Sequence, residues 1–100
     1  MAKKYKLGKD LWTKIHKKAM KANNYKRKKK FIKFVKDVHD SIQCSECKGH
    51  MRNYIKEEPF TDYLDAKDGL FYWSVKFHNA VNERIGKDIL PYQDAFKLYR

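Results

Sequence analysis

The stretch "KRKKKFIKFVKDVHDSI", residues 26–42, decides the fold class. Phe31, Phe34, Val35, Val38 and Ile42 fall at i, i+3, i+4, i+7 and i+11, one stripe along a helix of this length. The lysines alternate with that stripe, so the charge run "YKRKKKFIKFVK" reads first as the solvated outer face of the same helix. Working outward, the same spacing recurs. Leu11, Ile15 and Ala19 mark a first helix from about Gly8 to Ala22, with Trp12 and His16 beside the stripe, and Asn23 and Asn24 break it. Met51, Tyr54 and Ile55 mark a third helix that starts near Cys44 and Cys47 and is closed by Pro59. "TDYLDAKDG", residues 61–69, reads as a polar connection whose aspartates suit the start of the next helix. The fourth and most apolar helix runs from about Lys67 to Ile85 through Leu70, Trp73 or Ser74, Phe77, Val81 and Ile85, and Gly86 suits its end. Pro91 suits the first turn of a short last helix carrying Ala95, Phe96 and Tyr99. No strand pattern and no internal repeat competes. The expected fold is all-α, a four-helix bundle with a short fifth helix, forming one domain over residues 1–100.

Composition agrees. One hundred residues allow one core, and six Phe, seven Tyr and two Trp supply apolar surface to fill it. Four Gly and two Pro leave little turn chemistry for an all-β fold. Twenty-four Lys and Arg against twelve Asp and Glu give a net charge of +12, which favours acidic partners without choosing among nucleic acid, anionic membrane and acidic protein. The amino terminus "MAKKYKLGKD" has positive charge but no apolar run behind it, so it does not read as a secretory signal, and no stretch is apolar enough to span a bilayer. An intracellular protein is expected. There a CxxC is more often redox-active or metal-binding than a structural staple.

Cys44 and Cys47, in "QCSECKGH", are the only cysteines. At the start of the third helix they meet amide groups and a dipole that favour a thiolate, and Lys48, His50 and Arg52 add positive potential. The spacing also allows one disulfide across the first turn. Zinc is the competing use, with Cys44, Cys47 and His50 joined by His39, His16 or His78. A structural zinc site usually has a second clearly spaced ligand pair, and none is present. A thioredoxin-type motif needs a strand before it, and no strand is read.

Two further faces stand out. Gly8, Trp12 and His16 lie at i, i+4 and i+8 on the first helix, offering close backbone approach, an aromatic plane and a hydrogen-bonding ring. His78 and Asn82 repeat the i, i+4 relation on the fourth, with Asn79 and Val81 between them and Lys87 just beyond. Each residue taken singly fits a packed core. Together with a CxxC in one small bundle, they suggest a pocket for a large, planar, polar ligand.

The segments "GKDLWTKIH", "CSEC" and "HNAVNERIGK" resemble, in order and separation, the GxxxWxxxH, CxxC and HNxVNxxxGK hallmarks of the Erv/ALR-type FAD-linked sulfhydryl oxidases, over a span from Gly8 to about Tyr99. The resemblance implies a helical bundle holding FAD at its mouth, with the CxxC facing the flavin. It implies that Cys47 is the flavin-proximal cysteine and Cys44 the one that meets substrate, and that Gly8, Trp12, His16, His78, Asn79, Val81, Asn82 and Lys87 line the FAD site. Tyr99 falls where many members carry a Trp near the adenine. His50 falls where short viral members also have a histidine, which implies a place near the redox centre. The shuttle and stapling cysteines of cellular members are absent here, so the single pair would take electrons directly from a partner's dithiol, as in the minimal oxidases of large DNA viruses.

The expected function is therefore that of a thiol:oxygen oxidoreductase, which forms disulfides in a protein substrate and passes electrons through FAD to oxygen, giving hydrogen peroxide. By resemblance the substrate is a thioredoxin-like protein, the chain is a homodimer, and the setting is host cytoplasm or virion. No metal and no nucleic acid are expected. The competing reading is a basic helical module that binds nucleic acid or an acidic protein, with a zinc ion or an inert cysteine pair.

Overall fold

Several helix ends fall where the sequence supplies a cap or a break. The computed structural model describes residues 8–100. It contains α1 (Lys9–Met20), α2 (Tyr25–Ser41), α3 (Ser45–Glu57), a 3-10 turn (Phe60–Tyr63), α4 (Gly69–Ile85) and α5 (Tyr92–Tyr99), and no strand among the described residues. Asn24 stands just before α2 and its side-chain oxygen accepts from the Arg27 amide at 2.9 Å, which satisfies one of the amides that a helix start leaves open. Gly86 ends α4 with φ +80°, a left-handed conformation that costs glycine little. Pro91 precedes α5, and its carbonyl accepts from the Ala95 amide at 3.0 Å.

The stripe that opened the sequence reading is the one that packs. Phe31, Val35, Val38 and Ile42 are buried, Phe34 is half-buried, and Lys29, Lys30, Lys33 and Lys36 stay exposed. α4 is the axis of the molecule. α1 packs along it, α5 closes against α1 and α4, and α2 bridges α1 to α3. At the centre lies Trp73, fully buried, with the rings of Phe31, Tyr54, Phe60 and Phe77 around it at centroid distances of 4.6–6.3 Å. Its indole N–H donates to the Glu58 carbonyl at 2.8 Å, so the ring is buried without leaving its one polar atom unpaired. Burying each such ring contributes about 2–3 kcal/mol, and this cluster draws on α2, α3, α4 and the 3-10 turn together.

Two expectations change. The connection read as polar overlaps the 3-10 turn, whose Phe60, just before it, and Tyr63, within it, are buried. Tyr63 donates to Glu58 Oε2 at 2.6 Å, and Lys76 Nζ donates to Glu58 Oε1 at 3.1 Å and to the Tyr63 hydroxyl at 2.9 Å. The segment is thus a clasp that ties the end of α3 to α4. α4 also starts at Gly69 rather than near Lys67, because Asp68 adopts φ +55°, outside the right-handed helix, and its side chain makes no capping bond. Gly69 is obligatory there: a Cβ would meet the Tyr63 carbonyl oxygen at 2.0 Å.

Candidate functional site

α3 opens with its cysteines. Cys44 is the residue before the first turn, and its sulfur accepts a hydrogen bond from the Cys47 amide at 3.2 Å, the place where a serine or asparagine ordinarily stands. Both are free thiols; Cys44 is exposed, and Cys47 is half-buried against the core. The geometry makes them unequal. Hydrogen bonds from the Cys47 side chain and amide hold the Cys44 thiol below its ordinary pKa. Cys47, which gives that side-chain bond to Cys44 and is partly desolvated, is raised, with Arg84 on α4 opposing the rise. Of the two, Cys44, the sulfur that solvent reaches, is therefore the more readily ionised. His50 lies one turn on, facing Glu46 at 3.6 Å.

The second part of the site lies between α1, the end of α4 and α5. A cavity of about 540 Å³ is lined by Gly8, Lys9, Trp12, Thr13, His78, Val81, Asn82, Ile85, Lys87, Asp88 and Tyr99. That volume is within the range of sites for small organic ligands and cofactors. Its wall is aromatic: the Trp12 and His78 rings stack at 3.8 Å with 5° between their planes. His16 lies one layer behind, 2% exposed, with Nε2 2.9 Å from His78 Nδ1 and Nδ1 3.0 Å from the Ser74 hydroxyl. Tyr99 of α5 packs on His16 at a centroid distance of 4.9 Å. Burial first, and then the mutual charge, depresses the pKa of His16 from 6.5 to about 4; burial and the nearby Lys87 do the same for His78. Both rings are neutral at pH 7.

Most of the residues singled out in the sequence meet here. Gly8, Trp12, His78, Val81, Asn82, Lys87 and Tyr99 line one cavity, and His16 supports it from behind. Asn79 stands apart from the lining. Its side chain donates to the Leu90 carbonyl at 2.7 Å and accepts from the Leu90 amide at 2.9 Å, so it fixes the loop between α4 and α5. The cysteines are not in the lining; the charge of Arg84, one turn beyond Val81 on α4, acts on Cys47. Sequence reading missed Ser74 and Arg84 as functional residues. Ser74 had a signal, since Ser74, His78 and Asn82 form a polar stripe at i, i+4 and i+8 in an otherwise apolar helix. Arg84 follows Phe77 by two turns, and Phe77 packs on Tyr54 of α3, but that pairing of helices is visible only in three dimensions.

Among the described residues, no group of three or more His, Cys, Asp or Glu side chains is placed to hold a metal ion. His16 and His78 bond to each other, His50 faces Glu46, and His39 Nδ1 meets Asp40 at 3.0 Å. No described helix is long and apolar enough to cross a membrane.

A helix-capping cysteine pair and an aromatic and polar cavity, in one all-helical frame, define a dithiol protein with room for a large planar ligand. Comparison with known proteins narrows the class. The model of the Erv1 / Alr family matches residues 9–100, and the chain belongs to that family. It is 30% identical over 95 residues to the FAD-linked sulfhydryl oxidase of African swine fever virus from a Kenyan pig isolate, covering 92% of this chain and 78% of that protein. The protein of the same name from the Warthog/Namibia isolate is 30% identical over 78 residues, covering 78% of this chain and 64% of the relative. Protein 347L of Invertebrate iridescent virus 6 is 36% identical over 72 residues, 67% of this chain and 65% of the relative. No solved structure matches.

Proposed function

We propose that this protein is an FAD-dependent thiol oxidase that makes disulfides in a protein substrate through Cys44 and Cys47. The observation that carries the reading is the asymmetric cysteine pair at the start of α3, exposed on one sulfur and backed by the core on the other. Family membership and the names of the viral relatives point the same way. The cavity suits the cofactor. Trp12 and His78 give it a stacking wall, Lys9 and Lys87 supply cations for a pyrophosphate, and Asn82 adds hydrogen bonding. Bound FAD would supply the two-electron acceptor that restores the Cys44–Cys47 disulfide and delivers the electrons to oxygen as hydrogen peroxide.

The chain's own part is thiol–disulfide exchange. A substrate thiolate attacks Cys44, the exposed sulfur of the oxidised pair; a bond forms to Cys44 and the Cys44–Cys47 bond breaks, leaving Cys47 as thiolate beside Arg84. The second substrate thiolate attacks the substrate's own sulfur in the mixed disulfide and expels Cys44. The lowered pKa of Cys44 makes it the better leaving group of the pair in this second step. The pair has then gained two electrons. Cys44 and Cys47 are the only cysteines of this sequence, and on this reading the substrate dithiol meets the pair directly. The reading includes a thioredoxin-like substrate, a homodimer, and action in the cytoplasm of a virus-infected cell.

Absorption tests it first. Purified protein should be yellow, with a flavin band near roughly 450 nm, and should consume oxygen when given a dithiol. Cys44→Ser and Cys47→Ser should each abolish that consumption while leaving the yellow colour. Colourless protein that contains stoichiometric zinc would overturn the oxidase reading.

A further inference from the structure

Four polar groups stand in file from the core to the cavity: the Phe71 carbonyl, the Ser74 hydroxyl, and the rings of His16 and His78. The contacts are 2.7 Å from Ser74 Oγ to Phe71 O, 3.0 Å from Ser74 Oγ to His16 Nδ1, and 2.9 Å from His16 Nε2 to His78 Nδ1. A carbonyl oxygen can only accept, so the Ser74 proton points to Phe71. Ser74 Oγ then offers His16 a lone pair, and His16 must carry its proton on Nδ1. His16 Nε2 is left as a lone pair, so His78 donates to it from Nδ1. His78 Nε2 thereby becomes a lone pair too, and it has no hydrogen-bond partner among the described residues. Both rings are neutral at pH 7, and each ring carries one proton whose place is set by its neighbour. Ser74 is fully buried, so no solvent competes for the start of the file.

We propose that Ser74 is a positioning residue that fixes the tautomers of His16 and His78, and so makes His78 Nε2 a hydrogen-bond acceptor on the cavity wall. The ligand group that meets it must be a donor, a hydroxyl or an amine; FAD carries both on its sugar chain and its adenine. The choice of ligand rests on the oxidase reading, whereas the direction of the file does not. Without the Ser74 hydroxyl, His16 Nδ1 faces apolar surroundings and its proton moves to Nε2. His78 must then accept at Nδ1 and carry its proton on Nε2, which turns the acceptor into a donor and sets donor against donor.

The test uses the protein as purified, labelled with ¹⁵N-histidine. Four histidines in the chain keep the long-range ¹H–¹⁵N spectrum assignable. At pH 7 the wild-type protein should show protonated Nδ1 and bare Nε2 on both His16 and His78. Ser74→Ala should invert both rings, and the dissociation constant for FAD, read from flavin released on dilution, should rise about tenfold. Ser74→Thr, which keeps the hydroxyl, should restore both readings. A wild-type spectrum with a proton on His78 Nε2 overturns the proposal whatever the variants do. So does a Ser74→Ala protein that melts earlier but keeps both tautomers, since that is the behaviour of mere packing. Wild-type protein that takes up no FAD would overturn the oxidase reading instead, and the tautomer spectra would still decide this one.

Discussion

Cys44 and Cys47 have the same chemistry, and their neighbours make them different: one accepts hydrogen bonds in the open, the other gives one from the edge of the core. His16 and His78 are tuned in the same way, by burial, and for them the consequence reaches stability. Each has its folded pKa depressed from 6.5 to about 4. Between those values the unfolded chain binds protons that the folded chain refuses, so acid favours unfolding. The stabilising contribution is complete above about pH 6.5 and is lost as pH falls toward 4. For His16, which is 2% exposed, the loss is on the order of 3 kcal/mol. Urea unfolding at pH 7 and pH 4.5 should therefore give a clearly lower midpoint in acid, and His16→Gln should flatten the difference. A variant as acid-sensitive as the parent would refute the assignment.

At the level of the helix, the sequence carried what lies along one helix and not what passes between two. The α2 stripe, the α4 end at Gly86, the cysteines at the start of α3 and the Trp12–His16 and His78–Asn82 faces all follow from spacing within single segments. The clasp around Glu58, the Ser74 contact with His16 and the placement of Arg84 beside Cys47 depend on how α1, α3 and α4 are set against one another, which periodicity does not encode. Asn79, which the motif grouped with the cavity, instead holds Leu90 because a loop folds back onto its side of α4. Two glycines show the difference at one atom each. A Cβ at Gly69 would meet the Tyr63 carbonyl oxygen at 2.0 Å, part of a backbone that cannot rotate away, whereas a Cβ at Gly49, inside α3, would meet nothing within 4 Å. Gly69→Ala should cost about 2–3 kcal/mol, and Gly49→Ala should gain up to about 1 kcal/mol from helix propensity. In a domain of this size that is a fall in Tm of at least about 8 °C against a small rise. Equal effects would mean that the α4 start is wrongly placed. α3 also holds a buried hydroxyl, Tyr54, with no hydrogen-bond partner among the described residues, beside the rings of Trp73 and Phe77. Its loss in Tyr54→Phe should leave stability unchanged or raise it by about 1 kcal/mol; a clear loss in a urea melt would reveal a partner for that oxygen.

For the molecule as a whole, the net charge is +12. Lys48, Arg52 and Arg84 stand on the helices that carry or face the cysteines, against Glu46 alone in the first turn of α3. A field of that sign raises the encounter rate with an acidic protein and does nothing for a neutral small molecule. Salt separates the two cases, because the Debye length falls from about 30 Å at 0.01 M to about 8 Å at 0.15 M ionic strength. The kcat/KM for an acidic protein dithiol should fall about tenfold over that range, mostly through slower capture, while turnover of a neutral dithiol stays level. Charge reversal at Arg52 should remove part of the salt dependence and leave the neutral substrate untouched, since Arg52 lies outside both the cysteine pair and the cavity. Oxygen consumption under each condition reads all of this directly. If the protein substrate loses no more rate in salt than the small one does, long-range attraction plays no part in capture, and recognition must reside in the contact around Cys44 itself.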